Sequence, residues 1–66
     1  MKLICNGKPM TVRDGISLEE LIRELDLNPE TVVAECDGRI ALRQEYASRV
    51  LKDGEVVELI RFVGGG

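Results

Sequence analysis

The stretch SLEELIREL, from Ser17 to Leu25, is the one segment of this chain whose apolar residues recur with clear helical spacing. Leu18, Leu21, Ile22 and Leu25 fall at i, i+3, i+4 and i+7 and make a single stripe. Ser17 is placed to cap the helix, and Glu20 three positions later completes a capping box. Glu19 and Arg23 can pair across one turn, whereas Glu20 and Glu24 repel mildly. Asn28-Pro29 blocks continuation. A helix of about ten residues does not hold by itself in water, so the stripe must be buried against something else. In a chain of 66 residues that partner has to be a sheet built from the remaining segments.

The remaining segments read as strands. MKLICNGKPMTVR predicts a hairpin in which Met1, Leu3 and Cys5 alternate with Lys2, Ile4 and Asn6. Its turn is Asn6-Gly7, a pair that tolerates the positive φ of tight hairpins. Pro9 has no N–H to donate, which suits a strand start or an edge. TVVAECDGRIAL predicts a strand, an Asp37-Gly38 turn and a short returning strand, with Val32, Ala34 and Cys36 on one face. RQEYASR is expected to form a short helical turn. A Lys52-Asp53-Gly54 turn then leads into the last strand. The order β-β-α-β-(β)-β implies an α+β domain, a mixed four- to five-stranded sheet curled over one main helix. The β-grasp (ubiquitin-like) fold has this order. The expected organisation is one domain over residues 1–63 followed by a glycine tail at 64–66.

The last strand, EVVELIRFV, is apolar on both sides. Val57 and Leu59 are assigned inward, because Glu58 must reach water. Ile60 and Phe62 then point outward, just before the tail. An exposed apolar pair beside a functional terminus reads as a docking surface.

Composition excludes several classes of function. Nine basic against twelve acidic residues give a net charge of −3, which argues against a nucleic-acid partner and against a basic membrane patch. A docked protein is expected to present a complementary basic surface. No apolar run approaches the length of a membrane span or signal segment, and the expected compartment is the cytoplasm. The two cysteines, Cys5 and Cys36, form no C-x-x-C pair and lie in phase with inward residues, so they are expected to be buried, inert thiols. No metal site is expected. One Phe, one Tyr and no Trp imply an aliphatic core.

The chain contains no histidine, no phosphate-binding loop and no convincing nucleophile–base pair, so no catalytic residue is assigned and the chain is not expected to be an enzyme. The reactive group that remains is the carboxylate of Gly66. Without a Cβ, Gly64 and Gly65 can enter a channel too narrow for other residues. ATP can convert such a carboxylate into an acyl-adenylate, which a sulfur nucleophile can turn into a thiocarboxylate. The catalysts would belong to a partner.

The tail FVGGG, the segment DGEVVELIRF before it, the NGK turn and the spacing in IALRQEYA together resemble the sulfur carriers of thiamine (thiazole) biosynthesis, the ThiS family. The resemblance covers essentially the whole chain. It implies a carrier whose Gly66 is adenylylated by a ThiF-type adenylyltransferase using ATP and magnesium, with no cofactor bound by the carrier itself. A persulfide donor such as a cysteine desulfurase would supply the sulfur. A ThiG-type thiazole synthase would accept it. Gly66 would carry the sulfur, Gly64 and Gly65 would form the lead into the partner site, and Ile60 and Phe62 would dock. The small subunit of molybdopterin synthase, carriers of other sulfur pathways and a non-conjugating β-grasp binding module are the alternatives.

Overall fold

The computed structural model describes residues 1–61. Strands β1 (Lys2–Cys5) and β2 (Lys8–Thr11) form the first hairpin, followed by helix α1 (Leu18–Glu24). Strands β3 (Val32–Cys36) and β4 (Arg39–Ile40) form a second hairpin, and β5 (Val56–Arg61) closes the described chain. The strands make one sheet in the order β2-β1-β5-β3-β4. The β1–β5 pair is parallel, and the other neighbours are antiparallel. This is the mixed sheet with one α-helix expected of an α+β domain. The last strand in sequence is thus the central strand in space.

Both hairpins turn where the sequence places an Asx-Gly pair. Asn6 and Gly7 have φ of 51° and 80°, and Asp37 and Gly38 have φ of 50° and 82°, the sign that two-residue hairpin loops require. Pro9 lies on the outer strand β2, where its missing N–H breaks no ladder.

The capping box forms as expected. The Glu20 N–H donates to Ser17 Oγ at 3.1 Å, and the Ser17 N–H donates to Glu20 Oε1 at 2.9 Å. The Ser17 N–H foremost, with the Ser17 hydroxyl adding to it, holds the Glu20 carboxyl below its ordinary pKa. The expected repulsion between Glu20 and Glu24 is overridden, because Arg13 ion-pairs with both carboxylates. The helix also ends earlier than Asn28-Pro29 implies. Asp26 takes φ of 62°, its N–H donates to the Arg23 carbonyl at 3.0 Å, and the Leu27 N–H donates to the Ile22 carbonyl at 3.1 Å. That is a Schellman stop with aspartate where glycine is usual. Pro29 then opens a short 3-10 turn, Pro29–Thr31.

The core is the space between α1 and the inner sheet face. Leu18, Leu21 and Ile22 pack there with Leu3, Val32, Ala34, Val57 and Leu59. The helical stripe of α1 and the strand alternation together group these residues on the faces that are buried. The expectation of a purely aliphatic core is corrected at Tyr46, which is buried. Its hydroxyl donates to the Val32 carbonyl at 2.8 Å. The Ala34 carbonyl on the same side of β3 is bonded by the Ala41 N–H, so the phenol continues that edge one step beyond the returning chain.

Candidate functional site

The residues at issue sit on β5 and around it. Two turn side chains tie this strand on either flank. The Leu59 N–H donates to Asn6 Oδ1 and the Val56 N–H donates to Asp37 Oδ1, each at 2.8 Å. Backbone bonds reinforce both: Asn6 N–H to the Val57 carbonyl at 2.9 Å, and Asp37 N–H to the Val56 carbonyl at 2.7 Å. The same left-handed residues that close the hairpins therefore also fix the strand that leads toward the tail.

The inward and outward assignment on β5 is that read from alternation. Val57 and Leu59 are buried, while Val56, Glu58 and Ile60 face out. Ile60 is 52% exposed. Phe62, Gly64, Gly65 and Gly66 lie outside the described residues.

The sheet adds neighbours to Ile60 that the linear sequence does not join. The β3–β5 register sets Ile60 opposite Val33 and Glu58 opposite Glu35. The β3–β4 register sets Glu35 opposite Ile40, and the Ala41 N–H to Ala34 carbonyl bond carries the pairing one residue further. Ile40 and Leu42 are 68% and 54% exposed. The outer face thus holds Ile60 beside Val33 and Ile40 beside Glu35, with Leu42 exposed just past the last pairing. Their in-phase positions on separate strands are a usable signal, but only once the pairing is known.

Behind the sheet, sequence reasoning missed Glu55, a buried carboxylate. It accepts from Arg49 Nη2 at 3.0 Å and from the Lys52 N–H at 2.9 Å. The Glu55 N–H returns a bond to the Lys52 carbonyl at 3.1 Å, so the turn before β5 is closed twice. Extending the period-two pattern back from Val57 would have turned Glu55 inward. The paired Arg49 then keeps its charge tolerable there.

Cys5 and Cys36 are both free and buried, as expected. Burial pushes the Cys5 thiol up, with the charge of Glu58 adding to it. Burial, opposed by Arg49 and reinforced by Glu55 and Asp37, pushes Cys36 from 9.0 to about 11. The unfolded thiol therefore ionises first as pH rises. Stability from this group is complete below pH 9.0 and is lost as pH climbs toward about 11. Urea titrations of wild type and Cys36→Ala at pH 8 and pH 11 check this. Wild type should lose about 2 kcal/mol more than the variant across that window, since each tenfold change in an ionisation constant is worth ~1.4 kcal/mol. Equal losses would show that Cys36 does not titrate differently on folding.

With this geometry in view, the comparisons with known proteins are consistent with one another. The model of the ThiS family matches residues 3–66. A thiazole synthase of Magnetococcus marinus is 35% identical over all 66 residues, and the chain spans only 20% of that relative's length. A second thiazole synthase, of Paramagnetospirillum magneticum, is likewise spanned over 20% of its length. The sulfur carrier protein ThiS of Escherichia coli is 24% identical, with 100% of both chains covered. Among solved structures, the thiamine biosynthesis protein ThiS of Geobacter metallireducens superposes with a TM-score of 0.85 at 36% identity, covering 100% of both chains. A strand order of β2-β1-β5-β3-β4 over one helix, a family match that runs through Gly66 and a full-length structural likeness at this identity agree: the chain belongs to the ThiS family.

Proposed function

We propose that this protein is a sulfur carrier whose Gly66 carboxylate is activated and thiolated by partner enzymes, and that the sulfur goes to the thiazole ring of thiamine. The observation that carries the proposal is the family match extending through Gly64, Gly65 and Gly66. The thiazole synthases of Magnetococcus marinus and Paramagnetospirillum magneticum support the destination, since each carries a matching segment within its own chain.

The chemistry follows from the group available. A Gly66 carboxylate oxygen attacks the α-phosphorus of ATP on a ThiF-type adenylyltransferase, with magnesium neutralising the phosphates, and pyrophosphate leaves. The terminal sulfur of a persulfide, supplied by a donor such as a cysteine desulfurase, attacks the acyl carbon and expels AMP. A second thiol then cleaves the acyl disulfide, becoming part of a disulfide itself and leaving the thiocarboxylate. A ThiG-type thiazole synthase takes up that sulfur.

The carrier's own residues dock and reach. Ile60 and Phe62 contact the partner, and Gly64 and Gly65 enter its site. Five residues follow Arg61, an extended reach of at most about 18 Å at ~3.6 Å per residue. Ordering the three glycines costs about 3–6 kcal/mol at ~1–2 per residue, which the docked surface must offset.

The test is intact mass after incubation with ATP, magnesium and the cognate adenylyltransferase. The expected result is addition of one adenylyl group, replaced by an oxygen-to-sulfur exchange when a persulfide donor and thiol are added. An unchanged mass under both conditions sinks the carrier reading.

A further inference from the structure

Glu35 and Glu58 stand directly opposite each other on the outer face, one on β3 and one on the central strand β5. Opposed residues of an antiparallel pair have Cβ atoms about 4.5–5.5 Å apart, and like charges there destabilise the sheet. Among the described residues neither carboxylate lies within ion-pair distance of a basic group, although five such pairs form elsewhere. On the same face Val56 and Ile60 flank Glu58 along β5, and Val33 and Ile40 adjoin Glu35. An apolar patch of this extent would by itself accept many partners. The uncompensated pair selects among them, because an apolar surface laid over it would strand two carboxylates away from water.

We propose that this face is the recognition surface for a protein partner that presents an apolar patch with a lysine or arginine at its centre, and that Glu35 and Glu58 receive that cation together. The proposal rests on the carrier reading above and names what its partner must display. An arginine fits best, since its planar fork can donate to two carboxylates at once. Free, the chain carries the repulsion. Docked, the cation relieves it. The pair therefore contributes to partner choice and encounter rate rather than to the stability of the fold.

The full chain and the cognate adenylyltransferase test this by equilibrium binding at several salt concentrations. Glu35→Gln/Glu58→Gln should weaken binding about tenfold at low salt and flatten its salt dependence. The same variant should unfold at an equal or higher temperature than wild type, which rules out loss of fold as the cause. Glu19→Gln/Glu24→Gln, which removes the same charge from the helix, should bind as wild type does. A Glu35/Glu58 variant that binds as tightly and with an unchanged salt slope overturns the proposal, as does an equal loss in the helix variant. The carrier reading fails by a different result, absence of adenylylation in a wild type that still binds.

Discussion

Removal of Gly66 will abolish adenylylation while leaving the fold unchanged. The expected chemistry happens at a single carboxylate, and the deletion moves that group back by one residue, about 3.5 Å when extended. Displacement of a reacting group by even ~1 Å can cost about 100-fold in rate, so activation of the shortened chain should drop below detection by intact mass. Stability should not follow, because the core is completed by Leu59 and the described ladder ends at Arg61. Thermal unfolding of the two chains checks the second half of the expectation. A shortened chain that is still adenylylated at a comparable rate would mean that the reactive group has been misassigned.

Leu21→Ala should have the largest effect on folding. Leu21 is fully buried in the middle of α1, where the helix stripe meets the inner sheet face. Leucine-to-alanine changes at such sites cost about 2–5 kcal/mol, through lost burial and the cavity left behind. A domain of 66 residues has only about 3–10 kcal/mol to lose, at ~0.05–0.15 per residue. The variant should therefore lose about a fifth or more of its stability in urea unfolding followed by circular dichroism. A loss under about 1 kcal/mol would show that the helix does not close the core.

The local features are legible because their causes are local. Ser17 and Glu20 satisfy one another within a single turn, and Asn6-Gly7 and Asp37-Gly38 carry the backbone angles of their own hairpins. Alternation along β5 places Val57, Leu59 and Ile60 on their correct sides. Expectation and structure part where a distant residue intervenes. Arg13 reaches across to Glu20 and Glu24, Tyr46 finds the Val32 carbonyl fourteen positions away, and Arg49 makes a buried Glu55 tolerable.

The division between the two levels has one physical origin. Period, capping and turn chemistry depend on neighbours a few positions apart, so the amino-acid order alone determined the elements, their faces and the membership of Ile60 in an outer surface. Strand order and register depend on burying all the inner faces against α1 at once, which no segment can specify by itself. Only the folded chain therefore made the last strand the central one, set Glu58 against Glu35, and brought Val33 beside Ile60 and Ile40 beside Glu35 on one face.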